Sequence, residues 1–178
     1  MTEKRNKTGR RFNRPSFDEN FLEMLEVIAK RSTCFRHQLA ALIVKDNKII
    51  SSGYNGNPRT FPHCDEMGCI RDEQNIKSGT QMETCTGVHA EQNALLQAGK
   101  MADGATMYVN AFPCKICARL IINAKIAKVV IPQNAYYADL QGMRLLKSAG
   151  IALSNESREE RWNRLEKIGK IDWKTEKL

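Results

Sequence analysis

Two pairs of reactive side chains, His89 with Glu91 and Cys114 with Cys117, each stand at the start of a predicted helix. The cysteines are three residues apart and share one helix face, and Pro113 marks the first turn of that helix. His89 opens the helical segment HAEQNALLQA in the same way. A chain that uses both pairs must bring two helix N-termini together, where free backbone N–H groups and the helix dipole favour thiolates.

The segments around these pairs alternate between strand and helix. Ser16 and Glu19 form a predicted capping box before a first helix, and QLAALIVKDNKIISSGYNG predicts two strands joined by a turn at Asp46 and Asn47. Further on come the strand TMYVN, the strand KVVIP, the helix DLQGMRLLKSAG and a short strand at Ile151. This order predicts an α/β domain with a partly parallel sheet covered by helices on both faces.

Length and composition indicate which broad class of protein this is. The 178 residues fit one domain, and 42% hydrophobic content allows a packed core. The N-terminus lacks the apolar run of a signal peptide and no segment is long enough to span a membrane, so we expect a cytoplasmic protein with reduced cysteines. Residues 1–14 hold six basic residues against one acid, so this tail supplies +5 of the net charge of +8.

One imidazole and two thiolates suit zinc with a fourth position left to water, whereas a structural zinc site is normally closed by a fourth protein ligand. Glu91 lies two residues after His89 and is better placed to exchange protons with that water than to bind the metal. The order His-x-Glu followed by Pro-Cys-x-x-Cys is the established signature of zinc nucleobase deaminases, and this chain contains it.

Further segments carry a wider resemblance. RSTC, VKDNKIISSGYNGNP, HCDEMGCIR, HAEQNALLQA, DGATMYVNAFPCKICARLIINAKIAKVV and LLKSAGI together resemble the deoxycytidylate (dCMP) deaminase family, chiefly its bacterial and phage form, which includes a deaminase-like protein of bacterial competence operons. The resemblance implies a three-layer α-β-α cytidine-deaminase-like fold with a mixed five-stranded sheet and helices on both faces. It divides the chain into a basic tail (1–14), a zinc deaminase domain (15–153) and a C-terminal helical extension (154–178).

The resemblance also implies roles for individual residues. His89, Cys114 and Cys117 match the zinc ligands and Glu91 matches the proton shuttle. The substrate-binding residues that it implies are Asn55, Ala90 and Tyr137. Asn55 can also be read as a turn residue, because Asn-Gly favours tight turns, and Tyr137 as a packed side chain.

At the level of the whole protein, the resemblance implies a homo-oligomer, in particular a hexamer, and regulation by dCTP and dTTP. The chain departs from the family at Leu39-Ala40-Ala41 and near Arg59-Thr60. The second departure lies beside the region associated with effector binding and leaves that regulation open.

The remaining cysteines suggest a second metal site. Cys34, Cys64, Cys69 and Cys85 lie in or near the irregular segment 55–86, which has too little apolar content to order itself by packing. We expect a structural zinc there, bound by Cys64, Cys69 and Cys85 with either Cys34 or His63. Reduced cysteines buried as small hydrophobic residues are the alternative.

Three functions fit these features. The first is zinc-dependent deamination of dCMP to dUMP and ammonia, which supplies dUMP for thymidylate synthesis. The second is a deaminase acting on tRNA or single-stranded DNA, favoured by the basic tail but opposed by PCKICARLIINAKI, which is more similar to the mononucleotide branch. The third is a non-catalytic, zinc-stabilised competence protein. The intact Glu91 argues against it, because a protein without catalytic activity does not need that carboxylate.

Overall fold

The computed structural model describes residues 15–133, 135 and 140–154. The predicted tail at 1–14, Tyr137 and the predicted C-terminal helix beyond residue 154 lie outside these residues. Among the described residues, no helix has both the length and the apolar character needed to cross a membrane.

Five strands form one mixed sheet in the order β2-β1-β3-β4-β5. Strands β1 (Ala40–Lys45), β2 (Lys48–Tyr54) and β3 (Thr106–Val109) pair in antiparallel fashion around β1. Strands β4 (Lys128–Val130) and β5 (Ala152–Ser154) continue from β3 in parallel. The predicted turn at Asp46 and Asn47 is confirmed, since both residues have a positive φ that suits a two-residue hairpin.

Helices cover both faces of this sheet. Helix α1 (Phe17–Ala29) begins with the predicted Ser16–Glu19 capping box and packs Phe21, Leu25 and Ala29 against one face. Helices α4 (Ala90–Ala98), α5 (Lys115–Asn123) and α6 (Gln141–Ser148) share the main core with the opposite face. The predicted α/β fold with a mixed sheet between helical layers is confirmed.

The segment between β2 and α4 contains only short helices. These are α2 (Cys64–Met67), α3 (Ile70–Glu73) and a 3-10 turn at Met82–Thr84, and a second 3-10 turn, Gly99–Ala102, follows α4. Backbone hydrogen bonds order much of this segment, and side chains add to them, with three bonds to backbone oxygens from Arg36 and Arg71. Arg36 thereby ties the segment to the chain before β1, and the segment leads directly into α4.

Candidate metal centre and active site

His89 is the N-cap residue of α4 rather than its first helical residue. Its extended backbone turns the side chain out of the helix, while its backbone N–H donates to Gln92 Oε1 at 2.8 Å. An isolated bridge between Gly56 and Val88 fixes the chain just before it. The start of α4 is thus anchored to the end of β2.

Helix α4 approaches β2 more closely than most side chains would allow. A Cβ atom at Gly53 would lie 2.3 Å from the carbonyl oxygen of Ala90 and 2.5 Å from the nitrogen of Ala94. Ser51 also donates a hydrogen bond to the Ala94 carbonyl oxygen at 2.8 Å. These contacts set the height of His89 and Glu91 above the sheet.

Cys114 occupies the same position on α5, where it is the N-cap, so that helix begins two residues later than Pro113 predicted. Cys117 lies in the first turn and is buried. Pro113 is buried as well, and α6 packs on it closely: a Cβ atom at Gly142 would lie 1.9 Å from the Pro113 carbonyl oxygen.

The ligand atoms converge as the sequence predicted. His89 Nδ1 is 3.6 Å from Cys114 Sγ and 3.4 Å from Cys117 Sγ. Zinc bound to nitrogen and sulfur in tetrahedral geometry places those atoms about 3.5 Å apart, so the three side chains fit this ion. Among the described residues, they alone form a set of three or more ligand atoms lying within 4.8 Å of one another.

The pKa values of the two thiols shift in opposite directions because the groups are hydrogen-bonded to each other. Hydrogen bonds from Cys117 and His89 lower the pKa of Cys114 to about 4, although burial opposes this. The pKa of Cys117 is raised, first by its hydrogen bond to Cys114 and then by burial. The hydrogen bond with Cys114 also raises the pKa of His89. One thiolate is therefore already favoured, and a bound cation would favour the second.

Glu91 lies in the first turn of α4 and is only 3% exposed. Burial raises the pKa of its carboxyl group, while the nearby His89 and a hydrogen bond from Cys117 oppose that rise. Glu91 does not belong to the set of converging ligand atoms. Its position beside that set suits proton transfer.

The predicted substrate residues have different surroundings. The side chain of Asn55 accepts from the Leu39 N–H at 2.8 Å and donates to the His37 carbonyl oxygen at 2.9 Å. These bonds hold the chain before β1, which is a structural task, yet Asn55 also adjoins Gly56, the partner of Val88 next to His89. Ala90 is fully buried between α4 and β2.

The other cysteines gather loosely around Cys64. Burial and the charges of Cys34, Cys69 and Cys85 raise the pKa of the Cys64 thiol, so these groups lie within electrostatic reach of one another. In the described part of the chain, no three of these ligand atoms all lie within 4.8 Å of one another, as those of the first site do. His63 caps α2, and its buried Nδ1 has no hydrogen-bond partner among the residues that the structure describes.

Three residues that shape the surroundings of the site could not be predicted from the sequence: Arg36, Arg71 and Gly142. Arg71 is 7% exposed, and its charge opposes the rise in the pKa of His89 that the hydrogen bond with Cys114 causes. No periodic pattern distinguishes these residues from surface arginines and turn glycines, because the contacts that bury them come from the irregular segment and from α5.

Residues 15–133 match the family model for the cytidine and deoxycytidylate deaminase zinc-binding region. The deoxycytidylate deaminase of Schizosaccharomyces pombe is 38% identical over 142 residues, which cover 79% of this chain and 44% of that protein. The deoxycytidylate deaminase of Mycobacterium phage D29 is 36% identical over 129 residues, which cover 69% of this chain and 99% of the phage protein. The chain thus spans less than half the length of the yeast relatives that it matches.

The fold has solved counterparts as well. The dCMP deaminase of cyanophage S-TIM5, solved in complex with dCMP and dUMP, superposes with a TM-score of 0.66 at 26% identity. The superposition covers 80% of this chain and 98% of the cyanophage chain.

Proposed function

Because the chain belongs to the cytidine and deoxycytidylate deaminase family, whose zinc-binding region it carries over residues 15–133, we propose that it hydrolyses dCMP to dUMP and ammonia. The observation that carries this proposal is the buried carboxyl group of Glu91 beside three ligand atoms that fit zinc and leave a fourth position open. The yeast and phage deoxycytidylate deaminases and the cyanophage dCMP deaminase support this choice of substrate.

In this proposal each residue has a distinct task. His89, Cys114 and Cys117 hold the zinc ion, which when bound supplies the Lewis acid that makes water nucleophilic near neutral pH. Glu91 accepts a proton from the attacking water and delivers it to ring nitrogen 3 of cytosine. The hydroxyl group now on carbon 4 gives its proton, through Glu91, to the amine, and the bond between carbon 4 and nitrogen breaks to release ammonia and form the carbonyl group of dUMP.

The substrate pocket would be completed by Asn55, Ala90 and Tyr137. Asn55 adjoins the Gly56–Val88 bridge and can offer its remaining hydrogen-bonding capacity to the sugar. The first-turn position of Ala90 leaves its backbone N–H without an acceptor within the helix, so that it can meet a base oxygen. Tyr137 lies outside the described residues and keeps the role that the resemblance implies.

We extend the proposal to self-association and regulation. Large apolar side chains are exposed on the outer surfaces of α4 and α5, including Leu96, Ile116 and Leu120. A homo-oligomer, specifically a hexamer, would cover such surfaces. Native mass spectrometry with and without dCTP and dTTP measures both the assembly and any response to these effectors.

The second zinc also remains a proposal. Three thiols within electrostatic reach of Cys64 support it, together with the partnerless Nδ1 of His63. Cys64, Cys69 and Cys85 would bind the ion with Cys34 or His63, after the sulfur atoms draw together.

The test of the main proposal is a comparison of substrates. Turnover of dCMP should exceed that of CMP, of deoxycytidine, of a cytosine-containing DNA oligonucleotide and of an adenosine-containing tRNA stem-loop. Glu91→Gln serves as the blank for contaminating deaminases. The same substrates are then compared for the protein without residues 1–14. If the intact protein prefers DNA or tRNA to dCMP and loses that preference with the tail, the nucleic acid is the substrate and the proposal for dCMP is wrong.

A further inference from the structure

Asn110 is the first residue after β3, and its side chain binds the stretch that leads into β1, residues 37–40, which we call the 37–40 segment. Its Oδ1 accepts from the Ala40 N–H at 2.8 Å, and its Nδ2 donates to the Gln38 carbonyl oxygen at 3.3 Å. Its backbone N–H donates to the Ala40 carbonyl oxygen, also at 3.3 Å. These bonds lie beyond the point where the regular pairing of β1 with β3 ends.

Asn55, the first residue after β2, binds the same segment from the opposite side. Its side chain holds the Leu39 N–H and the His37 carbonyl oxygen through the bonds described above, and its own N–H donates to the Leu39 carbonyl oxygen at 3.2 Å. Alternate residues of an extended chain direct their N–H and carbonyl groups to opposite neighbours. Asn55 and Asn110 each bind one of these two sets, so the segment is held between them.

The two asparagines lead to different halves of the metal centre. Asn55 directly precedes the Gly56–Val88 bridge, which fixes the chain next to His89. Asn110 lies four residues before Cys114 on the other half. The same short segment is therefore bound both to the part of the chain that leads to His89 and to the part that leads to Cys114.

The link between Asn110 and Cys114 is short and rigid. Ala111 and Pro113 are both buried, and the ring of Pro113 fixes its φ. On the far side, Gly142 of α6 lies against the Pro113 carbonyl oxygen. A displacement of Asn110 would therefore be passed on to Cys114 rather than absorbed by the chain between them.

We propose that Asn110 is a positioning residue for Cys114. Through the 37–40 segment it fixes the distance from that thiol to the other half of the metal centre, which carries His89 and Glu91. The spacing matters because a reacting group displaced by about 1 Å can lower a rate about 100-fold. An asparagine suits the task, since it presents an acceptor and a donor that match a peptide N–H and a peptide carbonyl. The kinetic part of this inference rests on the proposed deamination of dCMP, whereas the part that concerns metal binding does not.

Cobalt in place of zinc reports on the spacing without the reaction. One imidazole and two thiolates also accept Co²⁺, whose visible absorption depends on the arrangement of its ligands. Asn110→Ala should change this spectrum, and it should raise the dissociation constant for zinc about 10-fold in chelator competition. Tyr108→Phe, which removes the hydrogen bond of the same strand to Asp18 on α1, is the matched control and should change neither.

Kinetics with dCMP provide the second measurement. Asn110→Ala should lower kcat about 10- to 100-fold and leave KM nearly unchanged, because the proposed substrate contacts Asn55 and Ala90 belong to the His89 half of the centre. Asn110→Asp is the milder variant if the alanine variant does not fold. It keeps the acceptor for the backbone of β1 but loses the donor, so the same changes should appear to a smaller degree.

Releasing both sides of the 37–40 segment tests the coupling itself. Asn55→Ala alone should also weaken zinc binding, because it frees the segment from the end of β2. In the double variant with Asn110→Ala, the zinc dissociation constant should rise by clearly less than the product of the two single factors, since either release already uncouples the two halves. If the factors simply multiply, the two asparagines act independently and the inference is wrong.

The remaining outcomes separate this inference from the proposed reaction. If the protein turns over none of the substrates and Asn110→Ala still changes the cobalt spectrum and the zinc affinity, the reaction is wrong and the positioning role stands. If dCMP is deaminated and Asn110→Ala is less stable but keeps the spectrum, the zinc affinity and kcat, the residue only completes the end of the sheet. Equal changes in Tyr108→Phe would likewise reduce the effect to a general loss of stability.

Discussion

Glu91 combines a buried carboxyl group with neighbours that can hold a metal ion. Burial favours its protonated form, and the imidazole of His89 and the thiol of Cys117 favour the ionised form. A group balanced in this way can both accept and release a proton during one reaction. Since Glu91 stands apart from the converging ligand atoms, metal binding and proton transfer should be separable.

Replacing Glu91 by glutamine tests that separation. The amide keeps the shape of the side chain but cannot accept a proton, so deamination should fall by at least about 100-fold. Zinc content, measured by elemental analysis, should stay at the value of the unmodified protein. Loss of the metal together with activity would mean that Glu91 is a ligand instead.

Between elements, the contact of α6 with α5 sets the position of Cys114. Gly142 faces the Pro113 carbonyl oxygen and the carbonyl carbon of Cys114, where an added Cβ atom would lie 1.9 Å and 2.8 Å away. Any side chain there must push the N-terminus of α5 aside. Gly142 thereby helps to determine where one candidate metal ligand stands.

Gly142→Ala should lower both zinc affinity and stability. We expect a loss of about 1–3 kcal/mol in the free energy of unfolding from overpacking, together with a raised dissociation constant for zinc in chelator competition. Ser148→Ala, at an exposed position of the same helix, is the matched control. Normal zinc affinity in a destabilised Gly142→Ala protein would limit the residue to a packing role.

The docking of α1 on the sheet depends on a carboxylate. Burial alone would raise the pKa of Asp18, but hydrogen bonds from Tyr108 and Lys128 and the charge of Lys128 lower it overall. A lowered pKa means that the ionised group stabilises the fold above its ordinary pKa of 3.8, and that this contribution is lost as the pH falls through the folded-state value.

Asp18→Asn should therefore destabilise the protein by about 1 kcal/mol at pH 7, the usual net value of a hydrogen bond. The difference from the unmodified protein should narrow below pH 3.8. Urea unfolding across this range measures it, with Glu26→Gln on the exposed side of the same helix as the control. A difference independent of pH would show that the charge of Asp18 is not what anchors α1.

Regular elements were predictable because their signals are local. The Ser16–Glu19 capping box and the Asp46–Asn47 turn depend on neighbouring residues, and both stand where the sequence places them. The start of α5 was predicted two residues early, because proline marks the first turn but cannot tell whether Cys114 is the cap or the first helical residue. Helices α2 and α3 have four residues each, too few for a periodic pattern.

At the scale of the whole molecule, the second metal site predicts how many zinc ions each chain binds. If Cys64 and its neighbours bind a second ion, elemental analysis should give two zinc ions per chain, and Cys64→Ser should retain one. That variant should melt at a lower temperature and keep deaminase activity at temperatures where it is folded, whereas Cys117→Ser should lose activity. One zinc ion per chain in the unmodified protein would contradict the second site.

The candidate site was only partly predictable from the sequence. His89, Cys114 and Cys117 could be identified because candidate metal ligands must have particular side chains at particular spacings, and Glu91 because it stands two residues after His89. Arg36 and Arg71, which help to order the segment before α4, could not be identified, since their hydrogen bonds to residues 76–80 follow no sequence pattern. Gly142 was missed for the same reason, because its close contact is with another helix.

The two halves of the metal centre flank a single strand. The ligand pairs that include His89 are separated by only 25 and 28 residues of chain, and β3 lies between them. Closing so short a loop costs little entropy, and contacts close in sequence form early in folding. The ligands can therefore approach one another early in folding, before the β1–β2 hairpin docks and fixes their height above the sheet, which would make the candidate metal centre a nucleus for folding.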